Sequence, residues 1–322
     1  MTEKCIIIGL GKIGMEYDLD HNARKIVYSH AKAFSNHPAF ELIGAVDPSE
    51  KKRNVFKKHY GQIAYSTIEG ALKTEQASIV VIASPTEKHN ITLKQVLAFS
   101  RPKIIVCEKP LAYDLDEARE MVRLCKTAGV KLFVNYMRRA DPGSLEIKER
   151  IEAGKIATPI KGVVWYSKGF LHNGSHFFNL LEFWLGSFIK AQILAAGRGL
   201  GNQDSEPDVV VEFKWGKVVF ISAWEEAFSH YTIELLSPSG RLRYDQGGKY
   251  ITWQSTQKDA IINGYQVLTT NPEILVNGMD YYQWHVVDQL ANVIENKPTY
   301  LSTGNQALAT LEAMHLIIKQ GK

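Results

Sequence analysis

The sequence predicts an α/β fold joined to an α+β fold. An N-terminal Rossmann domain with a parallel sheet spans residues 1–134, and a domain built on a mainly antiparallel sheet spans residues 135–322. Three observations carry this. Strand and helix patterns alternate through the first 134 residues. A glycine fingerprint, Gly9-Leu10-Gly11-Lys12-Ile13-Gly14, directly follows the first apolar run. After residue 155 strand-like segments follow one another with few helices between them.

In the first part, Cys5–Ile8, Leu42–Val46, Ile79–Ala83, Ile104–Cys107 and Leu132–Val134 are short, Ile- and Val-rich runs bounded by turn residues, as buried strands are. Helical stretches lie between them at Ser49–Tyr60, His89–Phe99 and Leu115–Ala128. Continuous apolar strands alternating with helices imply a parallel sheet covered on both faces. In the second part, helices are expected near Ser144–Ala153 and Ser175–Leu185. Strands are expected at Ile160–Tyr166, Lys190–Ala195, Val209–Phe213, Val218–Trp224, Tyr231–Leu236, Arg241–Asp245 and Tyr250–Trp253. Runs of strands without intervening helices suggest antiparallel pairing. Two helices, about Tyr281–Glu295 and Asn305–Lys319, close the chain.

Composition narrows the function classes. With 45% hydrophobic and 22% charged residues, the balance is that of a globular protein. A net charge of +4 gives no strong electrostatic case for nucleic acid, and Lys51-Lys52-Arg53 reads as the solvated face of a helix. No stretch approaches the ~18 consecutive apolar residues of a membrane helix. No signal peptide is visible, and Cys5, Cys107 and Cys125 are too few and too scattered for a disulfide frame or a zinc site. The expectation is a cytoplasmic protein without nucleic-acid or membrane partners and without a metal.

The fingerprint has a physical purpose. Gly9 makes the tight turn, Gly11 lets the backbone approach a pyrophosphate, and Gly14 allows close packing, while backbone N–H groups face the anion. Lys12 and Ile13 complete the loop. Asp47 ends the second strand and is placed to accept from adenosine ribose hydroxyls, which favours NAD over NADP. The neighbouring cations Lys51, Lys52 and Arg53 leave NADP open. Gly14 and Asp47 stand 33 residues apart, where about 20 is usual. An insertion within Met15–Tyr28 explains the excess, with the interrupted helix resuming near Ser29. The insertion reads either as a surface loop or as a flap beside the site. Ser84, Pro85, Thr86 and His89, after the third strong strand, occupy a strand's carboxyl end, where ligands bind.

Cys107-Glu108-Lys109-Pro110 ends the next strand. Together with the fingerprint, the Ser84-Pro85-Thr86-x-x-His89 loop, Asn135-Tyr136-Met137-Arg138-Arg139-Ala140-Asp141-Pro142 and Gly174-Ser175-His176, it resembles the Gfo/Idh/MocA family (glucose–fructose oxidoreductase, inositol dehydrogenase and relatives). The resemblance implies an open C-terminal sheet that walls the substrate pocket and supports dimers or tetramers, with a last helix able to pack back on the first domain. It implies hydride transfer between NAD(P) and a secondary alcohol of a sugar, cyclitol or nucleotide-sugar. Lys109 would bind the substrate hydroxyl and stabilise developing alkoxide, Glu108 would orient Lys109 or the nicotinamide environment, both lying among the cofactor-binding residues, and His176 would serve as general acid/base. His172 stands where the family usually has an aspartate, so the proton pathway departs from the pattern; His172 is read as a relay partner or substrate contact and Asn173 as a substrate contact or cap. Arg138 is a candidate for a substrate anion. Two other readings stay open: an NAD-dependent glycosidase of the same fold, and a non-catalytic NAD-binding sensor.

Overall fold

The computed structural model describes residues 2–19, 26–201, 204–223 and 227–321. Part of the insertion (20–25) and Trp224 lie outside them. The chain divides into two units, 1–140 with 280–309, and 141–279 with 310–322. The expected second domain is therefore not continuous, because residues 135–140 and 280–309 group with the Rossmann unit.

In the first unit β1 (Glu3–Ile8), β2 (Phe40–Val46), β3 (Ile63–Tyr65), β4 (Ile79–Ile82), β5 (Ile104–Cys107) and β6 (Lys131–Val134) form one parallel sheet. Its order is β6-β5-β4-β1-β2-β3, with the short strand Ser302–Thr303 added antiparallel beside β6. The order reverses between β1 and β4, which is the switch point where doubly wound sheets bind ligands. All four residues of β4 and of β5 are buried, as strands covered on both faces must be.

Five helices accompany these strands: α1 (His30–Asn36), α2 (Glu50–Tyr60), α3 (Ile68–Thr74), α4 (His89–Phe99) and α5 (Leu115–Ala128). Local chemistry fixes their ends. Ser49 accepts from Lys52 N to open α2, and Gly61 closes it in a left-handed conformation at φ 70°. Asp114 opens α5 by accepting from Asp116 N and Glu117 N. β3 and α3 were not predicted. Ile63 is half exposed and α3 buries only Ala71 and Leu72, so neither carries a strong apolar pattern. The helix Tyr282–Ile294 sets Val286, Val287, Leu290 and Val293 into the same core as Ile7, Phe34 and Val81.

The insertion is spliced out of a helix. Met15 N donates to Gly11 O, and Tyr17 N to Lys12 O, completing one turn. After the insertion His30 N donates to Ile13 O and Ala31 N to Gly14 O, both at 3.0 Å. The ladder resumes on carbonyls left before the excursion. Asp18 pins the return, accepting from Ser29 N at 2.7 Å and Ser29 Oγ at 2.6 Å. Ser29 caps α1 through Lys32 N.

The second unit contains α6 (Pro142–Glu152), β7 (Ile160–Tyr166), α7 (Ser175–Leu185), β8 (Phe188–Ala195), β9 (Gly199–Gly201), β10 (Asp204–Ser205), β11 (Asp208–Phe213), β12 (Gly216–Ser222), β13 (Thr232–Ser237), β14 (Gly240–Asp245), β15 (Tyr250–Lys258), β16 (Gln266–Leu268) and β17 (Glu273–Leu275). The large sheet runs β16-β15-β14-β13-β7-β12-β11-β8, with β17 also on β15. Its pairs are antiparallel except β7 with β12. Alternate residues of β11 to β14 are buried against α7, where Phe178 meets Phe213 and Phe220 and Trp184 meets Tyr244 edge to face. Trp184 Nε1 donates to Ser144 O and ties α7 to α6.

Candidate functional site

The glycine loop leaves β1 at the switch point. Gly9 has φ 102°, and a Cβ there would lie 2.6 Å from Ala83 O, so the next strand end excludes any side chain. A Cβ on Gly14 would overlap the Gly9 carbonyl oxygen. Gly11 differs: the nearest atom to a Cβ would be Lys52 Nζ, 3.9 Å away. Among the described residues nothing requires glycine at 11, but a dinucleotide backbone pressed onto the loop would. These residues fit the pyrophosphate of NAD.

Asp47 is buried at the end of β2. Its Oδ2 accepts from Leu10 N and its Oδ1 from Ser49 N, both at 2.8 Å. The carboxylate therefore anchors the glycine loop to β2, and each oxygen keeps acceptor capacity for a ribose hydroxyl. Lys52 pairs with Glu16 of the insertion at 3.2 Å, and Arg53 donates to the carbonyls of Asp47 and Pro48. Lys12 is exposed, and the Ile13 carbonyl is taken by α1.

Beyond β4, Ser84 and Thr86 are partly exposed and Pro85 is exposed. His89 is fully buried, and its ring nitrogens meet Ser84 O at 2.9 Å, Leu111 O at 3.1 Å and Pro110 O at 3.2 Å. Burial holds its pKa below the usual value, against the opposing pull of those carbonyls. It ties the loop after β4 to the loop after β5 and has no surface to offer a ligand, so a direct cofactor contact is not where the fold puts it.

Glu108, Lys109 and Pro110 follow β5. Glu108 Oε1 meets His30 Nε2 at 2.7 Å and Asn135 Nδ2 at 2.6 Å. Asn135 Nδ2 also donates to Gln283 Oε1 at 3.0 Å, and Gln283 Nε2 lies 2.8 Å from His30 Nδ1. Burial would raise the Glu108 pKa; the His30 contact, Asn135 and the Lys109 charge outweigh it and hold the carboxyl below its usual range. His30 and Gln283 carried no signal in the sequence. In the same unit Arg138 is partly exposed and Tyr136 and Arg139 are buried.

In the second unit a π-helical turn, Gly169–Gly174, runs directly into α7. Such turns are rare and frequent at functional sites. Lys168, just before it, has a left-handed φ of 65°. The turn is gripped by two buried acids outside the predicted set. Asp204 accepts from Leu171 N at 2.8 Å and His172 N at 3.0 Å, and Glu206 accepts from Gly169 N at 3.1 Å. Burial raises the Asp204 pKa against those amides. His172 is exposed and His176 buried, so the two stand in different surroundings. Asn173 does not cap α7; its Nδ2 donates to Tyr231 Oη at 3.1 Å. Asn179 donates to Thr310, which bonds Glu182. Cys5, Cys107 and Cys125 are free and buried. Among the described residues no group of three metal-ligating side chains occurs, and no helix is long and apolar enough to cross a membrane.

A fingerprint at the switch point of a 6-5-4-1-2-3 sheet defines a dinucleotide-binding Rossmann unit. Residues 4–136 match the profile of the Gfo/Idh/MocA oxidoreductase family, NAD-binding Rossmann fold. The chain is 30% identical over 169 residues to scyllo-inositol 2-dehydrogenase (NAD(+)) of Bacillus subtilis, covering 52% of this chain and 44% of that protein. The match thus spans under half of that relative. It is 26% identical over 264 residues to myo-inositol 2-dehydrogenase of Thermotoga maritima, covering 74% of each. The aldose–aldose oxidoreductase of Caulobacter crescentus shares the fold, with a TM-score of 0.78 at 15% identity over 100% of this chain and 99% of that one.

Proposed function

We propose that this protein is an NAD(P)-dependent oxidoreductase that transfers hydride between the nicotinamide and a secondary alcohol of a sugar, cyclitol or nucleotide-sugar. The observation that carries the reading is the convergence on one sheet edge of the open position at Gly11, the Asp47 anchor and the Glu108-Lys109-Pro110 loop, from β1, β2 and β5. The similarity to two inositol dehydrogenases supports a polyol as substrate.

Gly9, Gly11, Lys12, Ile13 and Gly14 would hold the pyrophosphate, Asp47 the adenosine ribose, and Ser84, Pro85 and Thr86 the nicotinamide ribose. Bound NAD would supply the hydride acceptor. Lys109 donates to the reacting hydroxyl and stabilises the charge that grows on oxygen as its proton leaves. His176 takes that proton, and His172, Asn173 and Arg138 bind the remaining substrate groups. A homodimer or homotetramer is also proposed. The sheet face away from α7 supports it, since Trp165, Ile189 and Leu236 stand there about half exposed.

The test is NADH formation across sugars, cyclitols and nucleotide-sugars. With the responding alcohol, Lys109→Ala and His176→Ala should each lower kcat by about 10²–10⁴-fold. Released sugar without net NADH would mark the glycosidase instead. Full activity in both variants would end the assignment.

A further inference from the structure

The buried polar cluster beneath the Glu-Lys-Pro loop has a direction, and that direction can be derived. A carboxylate accepts hydrogen bonds and donates none. Asn135 approaches Glu108 Oε1 at 2.6 Å, so it presents its amide nitrogen there. The same nitrogen lies 3.0 Å from Gln283, which must therefore present oxygen to it. That turns the Gln283 amide nitrogen toward the His30 ring, 2.8 Å from Nδ1 and 3.1 Å from Nε2. Nε2 faces Glu108 Oε1 at 2.7 Å and donates to it, since the carboxylate only accepts. The chain of contacts closes on the carboxylate. Its one loose end is Asn135 Oδ1, buried and without a hydrogen-bond partner. A free amide would turn to satisfy that oxygen; Glu108 holds it the other way.

We propose that His30, Asn135 and Gln283 are positioning residues that keep Glu108 a buried anion beside the charge of the neighbouring Lys109. His30 is completely buried and the Glu108 side chain is 12% exposed, so the pair acts with little screening by solvent. The Lys109 charge stabilises the Glu108 anion, and such an interaction is reciprocal. The groups come from four places: α1, the ends of β5 and β6, and the helix Tyr282–Ile294. The first of these lies directly behind the insertion. Val27 N donates to Asp280 O, Gln283 N to Val27 O, and Tyr28 stacks on Tyr282 at 4.9 Å. The insertion's return is thereby fastened to the segment that carries Gln283.

The role assigned to Lys109 rests on the proposed activity, so the test reads the network without turnover. In the full-length protein with labelled histidine, the His30 Nε2 signal should show a bound proton. With labelled carboxylates, Glu108 should titrate at higher pH in His30→Ala than in wild type and return in His30→Gln, whose amide can donate in place of Nε2. With labelled lysine, Lys109 should titrate at lower pH in Glu108→Gln than in wild type. Should His30→Ala not fold, His30→Gln and Glu108→Gln still carry the comparison. A His30 Nε2 without a proton, or a Glu108 titration unmoved in His30→Ala, or an unmoved Lys109 titration in Glu108→Gln, overturns the proposal. If a responding alcohol exists, His30→Ala should lower kcat by about 10²-fold with KM for NAD unchanged, and His30→Gln should recover it. Failure of every alcohol to reduce NAD would remove the activity and leave the titrations standing as their own answer.

Discussion

Gly9 and Gly11, two residues apart in the loop, should respond to the same substitution in opposite ways, one in folding and the other in ligand binding. At Gly9 an alanine would need φ 102° with its methyl 2.6 Å from Ala83 O and 2.8 Å from Ser84 N. Left-handed strain alone costs about 1–3 kcal/mol, and the methyl meets backbone that cannot swing aside. For a unit of this size that is about 3–10 °C in Tm. At Gly11, among the described residues, the methyl meets only Lys52 Nζ at 3.9 Å, an ordinary contact with the end of a flexible chain. The stability change there should stay within about 0.5 kcal/mol. The space it fills is the space assigned to the pyrophosphate, so NADH affinity should fall at least about tenfold, or 1.4 kcal/mol. Thermal melting gives the first quantity and NADH fluorescence titration the second. A Gly11→Ala protein that melts with wild type and binds NADH equally well would refute the cradle, whatever Gly9→Ala does.

Other perturbations follow from the same geometry. His89→Phe fills the ring's volume but strands the Ser84, Pro110 and Leu111 carbonyls; urea unfolding should show a loss of about 2–4 kcal/mol. Asp47→Ala removes the acceptor of Leu10 N and Ser49 N, so both stability and the preference for NADH over NADPH should fall, read by melting and by paired titrations. Glu108 has a folded pKa below its unfolded one. Its contribution is therefore present above the unfolded value and lost as pH falls through the folded one, so the stability gap between wild type and Glu108→Gln should close on acidification. Equal gaps at neutral and acid pH would contradict that sign.

What was legible in the sequence was whatever a few neighbouring residues encode. β1 and β5 announce themselves as unbroken apolar runs, and α5 as an amphipathic stretch between Asp114 and Gly129. The resumption of the helix at Ser29 was readable because the glycine-to-acid spacing was too long. The buried cluster was not readable, because its members are remote along the chain. His30 reaches Glu108 across 78 residues and Gln283 across 253. A histidine one residue after a serine cap looks like any helix-start histidine until the sheet order places it behind β5. Asp204 is the same case in the second unit, since a two-residue strand gives no pattern and its amide partners lie 32 and 33 residues earlier. His172 and His176 are a related case, since their four-residue spacing spans a π-helical turn rather than an α-helical one, and one is exposed and the other buried.

The insertion explains how a dinucleotide loop can be lengthened without being damaged. The excursion begins after Gly14 and ends before His30, so the carbonyls of Ile13 and Gly14 keep donors supplied by His30 and Ala31. These two carbonyls, left open by the break, are paired again by the return, and such pairing is the condition for a long loop to be tolerated at a buried site. Asp18 then places a carboxylate against the amides of Tyr28 and Ser29 at the new helix start, where a negative charge is favoured. The helix that resumes is the one carrying His30. A segment that looks additional in sequence therefore sets the position of a residue in the charged network under Lys109, and any account of this unit's chemistry has to include it.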